Sequence, residues 1–246
     1  MKFEETEVWG FEHALRGMRN PKESWKKSDS GCKLYCSEDD TYVENPCSYD
    51  NCNGCRTTEY MIGPNDMELA QSLIKAGSEH RKFMRQIFVS VDITAPLYWW
   101  KEFDTYKVGT VANSTSTMHK LVSTPITADC FEMDDFDVDN PPRVPDYMRG
   151  QFHVTIWKVL IEVLESLRQK YNETKDKRYW KELIRLLPES LLQKRTVTMD
   201  YENLLAMCSK GQRRFHKLTE WSDSFIKWAR SLPYVQELIF IDEVKQ

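Results

Sequence analysis

The sequence lacks several features that would assign a function directly. No stretch approaches the ~18 uncharged apolar residues of a membrane-spanning helix. The first residues, MKFEETEVWGFEHALRG, lack the basic-then-apolar order of a secretory signal. An excess of basic residues is also missing, since the formal net charge is -4, and this argues against binding of nucleic acid through bulk charge. We therefore expect a soluble, cytoplasmic protein that neither crosses a membrane nor coats nucleic acid.

Motifs of several common catalytic sites are absent as well. There is no Gly-rich phosphate loop, no G-x-S-x-G and no H-E-x-x-H. The composition is that of an ordinary globular protein, because 41% of the 246 residues are hydrophobic and 29% are charged. Basic residues do cluster in KGQRRFHK, at 210–217, where they would form either a solvated face or a contact for a mononucleotide.

Apolar spacing predicts one α/β domain dominated by helices over residues 1–246. FVSVDITAP, at 88–96, alternates apolar and polar residues as a half-buried strand does. Within the helix predicted near residue 65, Asn65 or Asp66 is the expected N-cap. The segments with helical spacing are 8–20, 65–77, 96–107, 148–172, 176–188, 199–210 and 217–233.

Two segments differ from this pattern. Residues 28–62 show no apolar period and are predicted as an insertion. Residues 126–147 hold six Asp, one Glu and three Pro, and predict an exposed acidic loop. Carboxylates at this density could bind a cation, but they lack the fixed spacing of a calcium loop, so a solvated loop is the better interpretation.

Five of the seven cysteines fall inside the first of these segments: Cys32, Cys36, Cys47, Cys52 and Cys55. Tetrahedral zinc needs four thiolates, and the C-x2-C spacing at the end of the cluster is typical of half a zinc site. One thiol is in excess, and structural zinc, free thiols and a redox or disulfide role all stay open. A metal would order a segment with little hydrophobic content. Cys130 and Cys208 stand alone and are expected to be small buried residues.

The segment DTYKVGTVANSTSTMHKL, at 104–121, carries six Ser or Thr hydroxyls. It would form either a polar cradle for an anion or a loop whose hydroxyls satisfy their own backbone. The aromatic run before it, with Trp99, Trp100, Phe103 and Tyr106, is predicted as core.

From the strand onward, ITAPLYWWKEFDTYKVGTVANSTSTMHKL resembles the signature region of the flavin-dependent thymidylate synthases. That region carries a strand, a Pro, a helix and then R-H-R-x-x-S-x-N-E-x-S-x-R. An ungapped placement from Pro96 puts the motif on Thr105, Tyr106, Lys107, Thr110, Ala112, Asn113, Thr115 and Thr117. A shift of the second half by one residue instead gives Asn113, Ser114, Ser116 and Met118. Both registers stay open.

A second block, LLPESLLQKRTVTMDYENLLAMCSKGQRRFHKLTEW, is similar to the family's carboxyl-terminal block. Leu187-Pro188, Leu204, Leu205, Arg213 and His216 match in order, whereas Asp200 and Glu202 stand where the family has Asn and Arg. ALRGMR at 14–19 and AGSEH at 76–80 are weaker matches.

The resemblance implies a helix-rich α/β (α+β) fold with a central antiparallel or mixed sheet and long helices. It also implies a homotetramer that binds FAD and transfers a methylene from methylenetetrahydrofolate to dUMP, with NADPH as reductant. The positions implied for nucleotide binding are Lys107, Thr110, Asn113, Ser116 and Arg213, and those for the flavin are His80, Tyr106 and Asn203. Lys107 in place of a motif Arg keeps the charge but loses the bidentate fork. Neighbours such as Lys101, Lys120 or Arg214 could compensate. The alternative hypothesis is a module on the same fold that binds a nucleotide or a protein and has lost the redox chemistry.

Overall fold

The computed structural model describes most of the chain, in two compact units. The described residues are 1–36, 41–43, 55–106, 108–116, 120–134, 136–137, 139–146, 151–211 and 218–243, with only the backbone described at 33–36, 41–43, 55–59, 144–146 and 151–154. Unit 1 comprises Met1–Glu5, Val91–Lys107 and Ala112–Val197, and unit 2 comprises Thr6–Ser90, Val108–Val111 and Thr198–Gln246. The single-domain interpretation stays a prediction.

Within the described residues, the strands form three sheets. In chain order they are β1 (Lys2–Trp9), β2 (Gly31–Cys36), β3 (Thr41–Val43), β4 (Cys55–Met61), β5 (Phe88–Pro96), β6 (Val111–Ser114), β7 (Arg143–Asp146), β8 (Gln151–Thr155) and β9 (Leu192–Asp200). An antiparallel four-stranded sheet has the order β1-β5-β9-β6, a three-stranded sheet has the order β3-β2-β4, and β7 pairs with β8. The predicted strand at β5 is confirmed, because Val89, Val91 and Ile93 are buried and the residues between them are half-buried.

Helices connect and cover these strands, which confirms the helix-rich α+β class. They are α1 (Phe11–Arg19), α2 (Pro64–Lys75), α3 (Leu97–Phe103), α4 (Ile156–Thr174), α5 (Lys177–Leu186), α6 (Tyr201–Cys208), α7 (Ile226–Ala229) and α8 (Val235–Leu238). A π-helical turn at Glu220–Phe225 precedes α7. A search of the described helices finds none with the length and apolarity needed to cross a bilayer.

Several elements depart from the sequence-based predictions. Strands β1 and β9 were not predicted, because β1 lies at a sheet edge with mostly exposed side chains and β9 carries charged residues on its less buried face. The expected insertion at 28–62 contains β2, β3 and β4. The predicted helix at 148–172 begins only at Ile156, after β8, and the expected acidic loop contains β7.

Unit 1 is built on an apolar cluster and an aromatic cluster. Ile126, Phe131, Leu164, Leu183 and Leu191 form the first, beneath the packed pair α4 and α5. Trp99, Trp100 and Phe103 are buried with contacting rings, which confirms them as core. The guanidinium of Arg195 lies 4.2 Å from the centroid of the Trp100 ring, a cation–π contact that ties β9 to α3.

Unit 2 packs α1 and α6 against the 3-10 segment Lys82–Gln86. Gly10 joins β1 to α1 at φ 98°, and a Cβ there would lie 2.1 Å from the carbonyl oxygen of Gln86, so only glycine fits. The N-cap of α2 is Gly63, so the prediction of Asn65 or Asp66 was wrong. Asp66 is instead fully buried and accepts a hydrogen bond from Arg19 Nε at 2.5 Å.

Candidate functional site

Unit 1 contains a cavity of about 510 Å³, which we call the first cavity. Its apolar floor is continuous with the core, since Ile126, Phe131 and Leu191 belong to both. One wall carries Ser116 and Lys120, whose backbones are joined by a hydrogen bond from Lys120 N to Ser116 O at 3.1 Å. The volume is in the range of small-molecule sites, and a hydroxyl beside an ammonium group suits a bound phosphate.

The wall next to Ser116 is held by the buried side chain of Gln193. Its amide donates to the carbonyl of Thr115 at 3.0 Å, and its own backbone carbonyl accepts a hydrogen bond from Trp100 Nε1 at 3.0 Å. The backbone N–H of Thr115 also donates to the carbonyl of Lys194 at 2.9 Å. Residues 115–116 are therefore fixed against β9, which pre-positions this wall.

Three carboxylates, of Asp129, Glu132 and Asp134, also line the first cavity, as do Met1 and Lys2. Burial raises the pKa of Glu132 above its ordinary value, although the N-terminal ammonium, 3.7 Å from its carboxylate, acts in the opposite direction. A carboxylate accepts hydrogen bonds, and its protonated form can also donate one. The cavity thus combines a cationic, hydroxyl-bearing wall with a carboxyl wall suited to the polar edge of a heterocyclic ring.

Two other implied nucleotide positions, Thr110 and Asn113, do not line this cavity. Asn113 lies on β6, where all four side chains are exposed. Thr110 is half-buried and belongs to unit 2. Among the compensating neighbours, Lys120 lines the cavity, whereas Lys101 pairs with Glu189 at 2.7 Å. Lys107, Arg213 and Arg214 fall outside the described residues.

Unit 2 contains a second cavity, of about 450 Å³, beside His80. His80 is exposed in the turn after α2, and its backbone N–H donates to the carbonyl of Gly77 at 3.0 Å. Lys22 and Lys82 line the same cavity, together with Asn20 and Gln86. Glu79 also lines it, and its carboxylate lies 3.8 Å from Lys82 Nζ and offsets part of the positive charge. The cations, amides and imidazole are donors that suit a diphosphate, the anionic part of a dinucleotide. The sequence patterns did not single out Lys22 or Gln86.

Asn203 has a structural task at the start of α6. Asp200 Oδ1 accepts a hydrogen bond from Asn203 N at 2.8 Å, and Asn203 Oδ1 accepts one from Asp200 N at 3.1 Å, which together form a capping box. The amide nitrogen of Asn203 donates to the carbonyl of Val108. Gly109, at φ 85°, packs on this cap, since a Cβ there would lie 2.9 Å from Asp200 Oδ2.

The start of α6 thus contacts two other segments of unit 2, the turn at Val108–Gly109 and the segment that carries Arg81. Arg81, next to His80, donates from Nε to Glu202 Oε2 at 2.9 Å. Burial raises the pKa of Asp200, with a further increase from the nearby charge of Glu202. The charge of Arg85 opposes that rise. The Asp-x-x-Asn spacing is the local signal that could have identified the cap.

The remaining implied residues are only partly described. Tyr106 ends the 3-10 turn Asp104–Tyr106 and is half-buried, and Arg195 Nη1 fixes that turn through Asp104 Oδ1 at 2.9 Å. Cys32 is exposed and free, the backbones of Cys36 and Cys55 are described, and Cys47 and Cys52 lie outside the described residues. Of the isolated cysteines, Cys208 is buried as expected, whereas Cys130 is only half-buried. Within the part of the chain whose side chains are described, no three His, Cys, Asp or Glu residues form a metal-binding group.

Comparison with known proteins yields structural matches only. No protein-family model and no curated protein sequence matches the chain. A flavin-dependent thymidylate synthase from Helicobacter pylori, solved with FAD and dUMP, matches over 100% of both chains at 17% identity and a TM-score of 0.59. A second structure of thymidylate synthase X from Helicobacter pylori with FAD and dUMP matches over 100% of both chains at 15% identity and a TM-score of 0.61.

A UMP/dUMP methylase from Streptomyces cacaoi bound with 5-Br dUMP matches 73% of this chain and 82% of its own, at 14% identity and a TM-score of 0.46. The two full-length matches show that the chain has the fold of these synthases.

Proposed function

We propose that this chain is a flavin-dependent enzyme of pyrimidine nucleotides, which transfers a methylene from methylenetetrahydrofolate to dUMP with FAD as cofactor and NADPH as reductant. The observation that carries the proposal is the fold, which is shared over the full length of two structures solved with FAD and dUMP. In the same proposal the chain acts as a homotetramer in the cytoplasm.

The first cavity supports the nucleotide part of this proposal. Ser116 and Lys120 would hold the phosphate. Lys107 and Arg213, which the sequence resemblance implies for nucleotide binding, are proposed to add positive charge. Glu132, whose pKa is raised by burial, would contact the polar edge of the base. Thr110 and Asn113 are proposed to act outside this cavity, because neither lines it.

The second cavity supports the flavin part. His80, Lys22 and Lys82 would hold the diphosphate of FAD, and the cofactor would supply the redox chemistry that no protein side chain provides. Tyr106 stays a proposed flavin contact. Asn203 would act mainly through the cap at α6, because its amide already bonds within its own unit.

Nucleotide binding is tested by calorimetric titration with dUMP. We expect Lys120→Ala to weaken binding by about tenfold or more, because a charge-assisted bond is lost, and Ser116→Ala to weaken it less. Lys158→Ala is the matched control, since Lys158 is exposed on α4 and does not line the cavity. Equal affinity of Lys120→Ala and Lys158→Ala for dUMP would exclude the first cavity as the phosphate site.

Flavin binding is tested by the visible spectrum of the purified protein and by titration with FAD. We expect a bound oxidised flavin whose affinity falls in His80→Ala and is unchanged in His13→Ala, a control on the exposed side of α1. Rescue of a thymidine-requiring bacterial strain then tests the methylene transfer itself.

One observation favours the alternative of a nucleotide-binding module without redox chemistry. Asp200 and Glu202, at positions where the family has Asn and Arg, serve a helix cap and an ion pair with Arg81. Colourless protein that binds dUMP and gives no spectral change with FAD would support this alternative over the enzyme.

A further inference from the structure

Unit 2 contains a third cavity, of about 730 Å³, between the segment that follows α1 and the exposed side of α2. The segment contributes the run KESWKK, at 22–27, and α2 contributes polar residues that include Asn65, Glu68 and Ser72. Lys22 is the residue that this cavity shares with the second cavity. The volume is within the range of about 300–1,000 Å³ that is typical of small-molecule sites.

The charge along this cavity is positive. Its lysines outnumber its carboxylates by three to two: Lys22, Lys26, Lys27, Glu23 and Glu68. All three lysines are exposed, and within the described residues none of them forms an ion pair. Ammonium groups of this kind bind phosphate oxygens through charge-assisted hydrogen bonds. The cavity is therefore suited to a small ligand that carries an anionic group.

Trp25 presents a fixed aromatic surface beside these lysines. Its side chain is 49% exposed, and its Nε1 donates to Asn20 Oδ1 at 2.8 Å. A ring that is already held by a hydrogen bond loses little conformational entropy when a planar group stacks on it. Stacking on an aromatic side chain, with basic residues along the phosphates, is the common mode of binding for unpaired nucleotides.

The buried side chain of Arg19, which is 3% exposed, holds the backbone of this segment. Its Nη1 donates to the carbonyl of Ser24 at 3.3 Å, and its Nη2 donates to the carbonyl of Lys27 at 3.2 Å. Its charge is matched by Asp66, whose Oδ1 lies 2.5 Å from Nε. Next to these anchors Glu23 adopts φ 45°, in the left-handed region that residues other than glycine seldom occupy. The surroundings thus fix the segment in one conformation, and fixed backbone of this kind clusters at ligand-binding sites.

We propose that the third cavity binds a nucleoside monophosphate, whose base stacks on Trp25 and whose phosphate is held by Lys26 and Lys27. A single phosphate suits a cavity in which positive charges exceed negative ones by one. Lys26 and Lys27 line neither the first nor the second cavity, so the site does not depend on the proposed synthase activity.

Two other anionic occupants fit this surface less well. A single-stranded nucleic acid would bring many phosphates to a chain with a formal net charge of -4, and so small a local excess of positive charge releases few counterions. An acidic peptide would use the lysines but would leave the ring of Trp25 without a planar partner. A free nucleotide uses both the ring and the ammonium groups.

The test is calorimetric titration of the full chain with AMP, with dUMP and FAD present in excess so that neither of the other two cavities contributes. We expect Trp25→Ala to weaken AMP binding by about fivefold or more, because stacking of the base is lost. The double variant Lys26→Ala/Lys27→Ala should weaken it by about fivefold or more, because two cations that face the phosphate are lost. Lys75→Ala is the matched control, since Lys75 is exposed at the end of α2 and does not line this cavity.

A fluorescence titration covers the case in which Trp25→Ala fails to fold. Trp25→Phe keeps an aromatic ring and removes the indole, so AMP should still bind while the quenching of tryptophan emission that it causes disappears. Trp9→Phe is the control, because Trp9 is 44% exposed, stacks on Phe88 and lies outside this cavity. Quenching should persist in it.

Three results would overturn the proposal: no binding of AMP by the wild type up to about 1 mM, equal affinity of Trp25→Ala and Lys75→Ala, or quenching that persists in Trp25→Phe. Tighter binding of a short oligoadenylate than of AMP would also overturn it, in favour of nucleic acid. A chain that fails to bind dUMP or FAD would still give the expected AMP results, so failure of the proposed function is measured separately.

Discussion

Asp66 and Asp200 are two buried carboxylates of the same unit with opposite electrostatic settings. Their exposed fractions are 0% and 6%. Burial alone would raise the pKa of Asp66, but hydrogen bonds from Ser28, Ser30 and Arg19 together lower it below the ordinary value. For Asp200, burial raises the pKa and the hydrogen bonds of the cap do not reverse the rise.

The difference lies in the number and charge of the donors. Both oxygens of Asp66 are satisfied, Oδ1 by the guanidinium of Arg19 and Oδ2 by two hydroxyls at 2.6 Å and the backbone N–H groups of residues 29 and 30. Asp200 Oδ1 accepts the backbone N–H of Asn203, its Oδ2 faces the Gly109 turn, and the charge of Arg85 lowers its pKa without reversing the rise caused by burial. The hydrogen bonds of Asp66 therefore stabilise its charged form in the folded state. Burial destabilises the charged form of Asp200, whose side chain caps α6 beside the turn at 108–109.

Removal of Arg19 gives the largest expected effect on this comparison. Arg19→Met leaves the Asp66 carboxylate buried without its cation, and we expect the free energy of unfolding to fall by about 3–5 kcal/mol. Urea denaturation followed by circular dichroism measures it. The control is Arg16→Met on the exposed side of the same helix, which should change stability by no more than about 0.5 kcal/mol. Similar losses in both variants would show that Asp66 does not depend on its ion pair.

Gly109→Ala tests the contact between the turn and Asp200. The residue must adopt φ 85°, and its new Cβ would lie 2.9 Å from Asp200 Oδ2, so we expect a loss of about 1–2 kcal/mol or more. Gly77→Ala is the matched control, because Gly77 has φ 108° but no heavy atom within 4 Å of an added Cβ. It should show the backbone strain alone, and a loss as large as that of Gly109→Ala would mean that the contact with Asp200 costs nothing.

Asp200→Ala and Asp200→Asn separate the cap from the charge. The Ala variant removes the acceptor for the N–H of Asn203, and we expect a loss of about 1 kcal/mol. The Asn variant keeps a capping oxygen and removes the buried charge, so its stability near neutral pH should equal or exceed that of the wild type. Thermal unfolding of the two variants side by side measures the difference. An Asn variant as unstable as the Ala variant would show that the charge itself is required.

Local patterns in the sequence predicted part of this fold for clear physical reasons. The alternation in β5 and the aromatic face of α3 follow from periods of two and of three to four residues, and both are confirmed. Asp66 was taken for an N-cap because its partner, Arg19, is 47 residues away and no local pattern indicates the pair. Strand β9 was missed because Arg195 interrupts its apolar face and Lys194 lies on the opposite face, and their partners Asp104 and Asp92 are distant in sequence.

For the candidate site, Ser116 of the hydroxyl-rich segment lines the first cavity, and its role in nucleotide binding stays a prediction. The same segment could not show that Asn113 is exposed on an edge strand, because exposure depends on the strand order. Asn203 was selected because it lies in the block that resembles the family's carboxyl-terminal block. Its Asp-x-x-Asn spacing is a purely local signal that could have predicted the capping box found in the structure.

The smallest expected effect is the opposite pH dependence of the two carboxylates. Asp66 has a lowered pKa in the folded state, so it contributes stability above the unfolded pKa of about 3.9 and loses that contribution as the pH falls through its folded pKa. Asp200 has a raised pKa, so its contribution is complete below about pH 3.9 and is lost as the pH rises through its folded pKa.

The stability of Asp200→Asn relative to the wild type should therefore increase with pH across the carboxyl range, measured by urea denaturation between about pH 3.5 and 7. Asp66→Asn should show the reverse, because the wild type gains stability from Asp66 as the pH rises. If the two difference curves have the same slope, the two buried carboxylates do not differ in the way that their hydrogen bonds indicate.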